Sequence, residues 1–362
     1  MSNQILTKFD RWLDAQATVV ALVARQYLMP VEGKDAVIFP PTYPPPENFR
    51  GEWHGYNIDT FPDGSSVCLI DSVASQANRL EPMFKKPPYD GLVPQVRVKL
   101  AIKGGEVLEI NLLDAGHRAA DAVVRYSTLA EDLRKAFLDY AQGNAATLAK
   151  LAPTSLIFGV WDSRGTQVKA SRIVRSVIRA YNVRLLHRSA VYIPPVLYEE
   201  KGVLEEIQEG SERKRRAEEG LVHNPASWSH GGVQVLGEIR RDMLCNLAQL
   251  RSLRASSEEE TLSMRRYLLG LALVVFTATP ESNLREGCEL VPDPERPQVV
   301  DLVHDNGRRE PWTLDPSEAL EFAQEAAREF KFKEKQEAEF QAGRVVEALK
   351  KTKEERKKAS SS

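Results

Sequence analysis

The chain has 362 residues, with 49 Lys and Arg against 51 Asp and Glu, for a formal net charge of −2. Its composition, 42% hydrophobic and 28% charged, belongs to a globular protein and excludes global disorder. The longest apolar run, residues 267–278, falls well short of the roughly 20 residues a membrane span requires.

Residues 5–13 have the spacing of a short amphipathic helix, and residues 18–28 read as a strand ending at Pro30. Residues 39–46 carry five prolines and must run extended, because proline lacks an amide hydrogen and restricts its predecessor. Residues 67–70 read as an apolar strand, and a polar helix follows from Asp71. On it Ser72, Ser75, Gln76 and Arg79 share one face, while Val73, Ala77 and Leu80 share another. Alternation of Val96, Val98, Leu100 and Ile102 with Arg97, Lys99 and Lys103 predicts a hairpin, turning at Gly104-Gly105 and returning over 107–113.

Residues 128–141 and 145–151 read as helices, 155–161 as a short strand, 169–181 as a helix and 183–193 as extended chain. Residues 199–219 are charged and poor in core residues, a mobile excursion and a candidate thumb or finger extending to residue 230. A short strand is expected after Gly231-Gly232, then helices over 238–253 and 258–278. Residues 281–316 are rich in proline and acids and read as irregular, with one strand near Val299. Asp315-Pro316-Ser317-Glu318 is a helix start, with an oxygen cap, proline in the first turn and Glu three residues on. The remainder, 317–362, holds 21 charged residues and reads as a charged helical extension with a basic, Ser-tipped end.

The near-neutral total conceals an uneven distribution. Residues 163–198 contain no Asp or Glu, where about five would be expected, yet hold Arg164, Lys169, Arg172, Arg175, Arg179, Arg184 and Arg188. Read as a helix, Lys169, Arg172, Arg175 and Arg179 fall within an arc of about 120°, opposite Ile173, Val174, Val177 and Ile178. A row of cations with no local acid to pair with suits a polyanion such as nucleic acid. Just before it, Trp161-Asp162-Ser163-Arg164-Gly165-Thr166 has the small, hydroxyl-rich character of a phosphate-binding turn ahead of a helix N-terminus. Trp161 either stacks on a base or ends a buried strand as a core residue. Ser75, Gln76, Asn78 and Arg79 supply polar groups suited to sugar–phosphate contact, and Gly231 and Gly232 permit close backbone approach.

Catalytic signatures are missing: there is no nucleophile elbow, Walker loop, HExxH, paired CxxC or dinucleotide fingerprint. His223 and His230 lack a Cys or carboxylate at ligand spacing, so neither a metal nor another cofactor is expected. His117-Arg118 with Asp121 reads as a structural ion pair at the end of a strand. Three scattered cysteines, Cys68, Cys245 and Cys288, fit a reducing compartment, and no N-terminal signal pattern is present.

The run from Pro153 through Trp161-Asp-Ser-Arg-Gly-Thr166, continued by Arg172-Ile-Val-Arg-Ser-Val-Ile-Arg-Ala-Tyr181, resembles the type I-U (now I-G) CRISPR backbone protein of the Cas-seven group. Pro30 to Gly33 with Phe39 to Tyr43, Asp71 to Arg79, His117 to Ala122 and Gly231 to Gly237 share the resemblance, which spans roughly residues 17–280. It implies an α+β fold of the repeat-associated (RAMP) superfamily: a modified RNA-recognition-motif (ferredoxin-like) palm with inserted finger and thumb regions, over residues 1–316. It further implies a non-catalytic, cytoplasmic prokaryotic protein that polymerises along CRISPR RNA in the Cascade interference complex. Its partners would be that RNA, target DNA through the guide, copies of itself and other Cascade subunits. The RNA-binding residues expected are Ser75, Gln76, Asn78, Arg79, Trp161, Ser163, Arg164, Thr166, Lys169, Arg172, Arg175, Arg179, Gly231 and Gly232. The alternatives are an RNA-cleaving relative acting through Asp162 or His117, and a helical scaffold protein that assembles without RNA.

Overall fold

The structure, a computed structural model, describes residues 2–50, 53–207, 210–279 and 281–350. It is mixed α+β, built on a nine-stranded antiparallel sheet. Strands Ser66–Asp71, Val174–Tyr181, Ile239–Asn246 and Val19–Pro30 lie side by side in that order. Val299–His304 and Cys288–Pro292 share the far edge of Val19–Pro30. Alternation sorts the faces: Ile239, Met243 and Cys245 face inward beside Val174, Ser176, Ile178 and Ala180.

Against the inner face lies helix Glu258–Thr277, in which every residue from Arg266 to Phe276 is buried. One sheet face cannot enclose a helix that is apolar all round. Its other side is covered by helix Pro316–Phe330, whose Ala319, Phe322, Ala323, Ala326 and Phe330 are buried. Gly270 makes this approach feasible, since a Cβ there would lie 2.7 Å from Ala323 Cα. Arg266 ties the chain ends over this pair, reaching Asp10 at 2.6 Å and Glu329 at 2.8 Å. After Phe330 the chain adds strand Lys335–Glu339 in parallel to Gln95–Ala101, beside the hairpin strand Val107–Asn111.

The expected boundary at residue 316 is therefore no boundary, because one core runs from Phe9 to Ala338. The charged composition of 317–350 belongs to the outer face of a helix whose alanines and phenylalanines point inward. Residues 351–362, the basic end of that segment, lie outside the described residues.

Other expectations change too. Residues 169–181 are strands, Lys169–Ala170 and Val174–Tyr181, and residues 239–246 form a strand before the short helix Leu247–Ser252. A spacing of four residues between Arg175 and Arg179 fits one helix face and one strand face equally. The β-branched Val174, Val177 and Ile178 between sheet neighbours decide for the strand. Residues 154–157 are helical, leaving only Val160–Trp161 as strand. The stretch 281–316 carries four strands rather than one. The excursion contains helix Gly210–Glu218, with no buried residue, at the end of a ribbon formed by Val183–Tyr192 and Asn224–Val235.

Among the described residues no helix is long and apolar enough to cross a membrane. The three cysteines are free and buried, and burial pushes each thiol up to about 12, which leaves them unreactive near neutral pH.

Phe322→Ala should lower stability by about 3–5 kcal/mol, read from urea unfolding, because it opens a cavity beside Phe9. An unchanged midpoint would mean that the C-terminal helix contributes nothing to the core.

Candidate nucleic-acid interface

Three local structures converge on one groove of about 1020 Å³. The first is helix Val73–Leu80, capped by Ser72, whose Oγ accepts from the Ser75 amide at 3.2 Å. The helix thus starts at Val73, after the Ser72 cap, rather than at Asp71. Ala74 and Asn78 point outward, while Gln76, Ala77 and Leu80 are buried.

The second is the small hairpin of Val160–Trp161 and Lys169–Ala170. Trp161 and Lys169 are directly paired, which places Lys169 Nζ 5.9 Å from the centre of the indole. Trp161 is 57% exposed, so it is a surface platform and not a core residue. Asp162, buried beneath the loop, accepts from Thr166 N at 2.7 Å and Thr166 Oγ1 at 2.9 Å. Gly165 is required there, since a Cβ would come within 2.4 Å of the Asp162 carboxylate.

The phosphate-binding turn expected from the sequence is thus closed on its own acid. A strand follows it, so no helix N-terminus points into it. The Thr166 donors are already used, while Ser163 and Arg164 are exposed on the loop.

The third is the segment entering strand Val174–Tyr181. Gly159, at φ +80°, has Arg172 Cγ 2.6 Å from where its Cβ would stand, so only glycine lets this side chain cross. Lys169, Arg172 and Arg175 reach the groove, with Leu244 and Asn246 on the adjacent strand completing the wall.

Arg118 forms the rear of the groove and is 5% exposed. Its guanidinium donates to Gly159 O and Asn78 Oδ1, both at 3.3 Å, and Nε lies 2.8 Å from Glu81 Oε2. It therefore positions two pieces of the wall. His117 lies beside it on a turn rather than at a strand end, with Nδ1 3.5 Å from Asp121.

The lining contains Arg118, Lys169, Arg172 and Arg175 and no Asp or Glu. Arg164, Arg172, Arg175 and Arg179 have no ion pair among the described residues, whereas about half of the other arginines do. The sheet cations Arg97 and Lys99 illustrate the contrast, paired with Glu109 at 2.9 Å and Glu337 at 2.7 Å.

Of the residues singled out in the sequence, the groove gathers Asn78, Trp161, Ser163, Lys169, Arg172 and Arg175. Arg164 and Thr166 belong to its hairpin loop, and Arg179 is half-buried farther along the strand. Ser75 is half-buried off the lining. Gln76 and Arg79 turn away from the groove: Gln76 donates to Asp71 at 2.6 Å, and Arg79 pairs with Asp71 at 3.2 Å and Glu281 at 3.0 Å.

Gly231 and Gly232 sit in another sheet, where a Cβ would strike the Leu186–His187 backbone or Val37 and Ile38. Their missing side chains admit a neighbouring strand. Arg118 and Asn246 are the residues the sequence reading did not assign to the site. Asn246 was hidden by the helix expected over 238–253. Among the described residues no group of three or more His, Cys, Asp or Glu is placed to hold a metal ion.

Glu81 is the titratable group behind the groove. Burial raises its carboxyl from 4.5 to about 7, outweighing the pull of Arg118. A folded-state pKa above the unfolded value means the folded state binds the extra proton. Glu81 thus contributes stability below about 4.5 that is lost as pH rises through about 7. Glu81→Gln should flatten the decline in Tm over that interval, and an identical pH profile would overturn the assignment.

Residues 22–185 match the family model described as CRISPR-associated protein GSU0053 (Cas_GSU0053). None of the curated proteins compared matches the chain. The matched segment carries the helix, the hairpin and the basic strand of the groove, so the similarity to the CRISPR-associated GSU0053 family covers the part of the chain that builds it.

Proposed function

We propose that this protein is the guide-RNA-binding backbone subunit of a type I-U/I-G Cascade complex, several copies polymerising along one CRISPR RNA. The observation that carries this reading is the groove: Lys169, Arg172 and Arg175 without an ion pair among the described residues, no lining acid and an exposed tryptophan beside an ammonium. Cations without ion-pair partners neutralise phosphates, and an exposed indole stacks on any base, so such a surface holds a strand without reading its sequence. Specificity would then come from the guide's pairing with target DNA.

The four central strands, backed by helices Val73–Leu80 and Glu258–Thr277, are the part of the fold that would serve as the RNA-recognition-motif-like palm. The ribbon of Val183–Tyr192 and Asn224–Val235 would serve as the thumb. In this reading the protein binds and does not cleave. Asp162, the acid a nuclease would rely on, is buried and engaged by Thr166, and His117 is paired with Asp121.

Arg172→Glu with Arg175→Glu should abolish RNA co-purification while leaving the unfolding midpoint near that of the unmodified protein. Neutralising the same two residues should reduce the salt dependence of single-strand binding by about 1.4 in log–log slope. Trp161→Ala should weaken binding by about 1–3 kcal/mol for every sequence alike. Full RNA retention by the folded double variant would refute the assignment. Cleavage of labelled repeat RNA, lost on Asp162→Ala or His117→Ala, would favour the nuclease instead, and assembly of equal size without RNA would favour the scaffold.

A further inference from the structure

Behind helix Val73–Leu80 lies a second cavity, of about 650 Å³, separate from the groove but sharing Asn78 with it. Arg241 lines it from the inner face of strand Ile239–Asn246 and is only 2% exposed. Among the described residues its guanidinium makes one hydrogen bond, Nε donating to Ser176 Oγ at 3.0 Å, and Nη2 has no partner.

Ser176 passes the polarity onward, its Oγ donating to Gln76 Oε1 at 2.7 Å, and Gln76 Nε2 donates to Asp71 at 2.6 Å. Arg79 closes the chain, 3.2 Å from the same Asp71 oxygen. This buried network thus contains two guanidiniums and one carboxylate, and the carboxylate sits with Arg79. Gln26, opposite Arg241 across the strand pair, has an unpartnered Oε1, but a neutral amide does not balance a charge. With no carboxylate beside it, burial lowers Arg241 to about 10. Leaving a buried cation uncompensated is unfavourable, so a counter-anion entering the cavity would be bound strongly.

The rest of the lining says what kind of anion. Lys86 and Arg79 add cations, and the one lining acid, Glu281, is already paired with Arg79. Met83, Leu80 and Tyr89 form an apolar wall. The volume falls in the range of small-ligand sites and exceeds what a lone phosphate fills. We propose that this cavity binds a phosphorylated ligand of nucleotide size, its phosphate held by Arg241 and Lys86 and its ring against Met83 and Tyr89. The source is either a free mononucleotide or the phosphorylated end of a strand, for which Asn78 marks the passage from the groove.

The test is thermal unfolding of the full chain with adenosine 5′-monophosphate, with adenosine, and with sodium chloride at matched ionic strength. The monophosphate alone should raise Tm by about 2 °C or more, and the Arg172→Glu/Arg175→Glu variant should keep that rise. Arg241→Met should be at least as stable as the unmodified protein without ligand and show no rise, because it removes a buried charge that lacks a partner. Lys86→Met, on the cavity rim, should show a reduced rise. A 5′-phosphorylated oligonucleotide that stabilises more than its unphosphorylated counterpart, and more than the mononucleotide, identifies a strand end as the source. The reverse order identifies the free nucleotide. An equal rise with sodium chloride, an undiminished rise in both Arg241→Met and Lys86→Met, or loss of the rise in the groove variant would overturn the site.

Discussion

Helix Glu258–Thr277 is buried on every side from Arg266 to Phe276, and the architecture follows from enclosing it. The inner face of the sheet covers one side, which requires Val174–Tyr181 and Ile239–Asn246 to present Val174, Met243 and Cys245 towards it. The other side is covered by the C-terminal helix, close enough that only glycine fits at residue 270. Burial of this kind is the main favourable contribution to folding, and it joins residues from both ends of the chain into one cooperative unit.

Enclosure of the helix also determines where the arginines go. With the inner face of the sheet committed to the core, Arg175 and Arg179 are left on the outer face of the same strand. Arg172, just before the strand, is directed across Gly159 into the groove. Many cations elsewhere in the fold are neutralised by acids: Arg240 by Glu238 and Asp242, Arg296 by Asp293, Arg266 by Asp10 and Glu329. The acid-free stretch has no such partners. Unpaired cations on a rigid strand repel one another mildly in water, and a polyanion relieves that repulsion while releasing its own counterions.

Two buried polar systems flank the groove and hold its walls in place. Arg118 and Glu81 fix Asn78 and the Gly159 carbonyl from behind. The chain from Arg241 through Ser176 and Gln76 to Asp71 joins the helix to the sheet from below. Gln76 and Arg79 are polar residues on a helix next to a binding surface, yet they serve this joint and not the surface. Their sequence pattern is the same in either role, since a polar side chain at helical spacing does not reveal whether a carboxylate waits beneath it.

Residues 163–198 lack acids whatever the fold, so the basic character of the interface was legible in the sequence alone, as were the hairpin at Gly104-Gly105 and the helix start at Asp315. The exposure of Trp161 was not legible, because it depends on Lys169 pairing across a two-residue strand. Nor was the strand at 174–181: a four-residue spacing satisfies helix and strand alike, and the choice falls to neighbours 59 to 114 residues away in the chain. The C-terminal segment shows the same limit from the other side. Its charges have the pattern of a solvated extension, while its apolar stripe finds its partner in helix Glu258–Thr277, roughly 50 residues earlier in the chain. Local sequence determined composition, charge segregation and turn chemistry, because these depend on residues close together. Only the tertiary structure decided which side chains were covered, because burial is a relation between segments far apart in the chain.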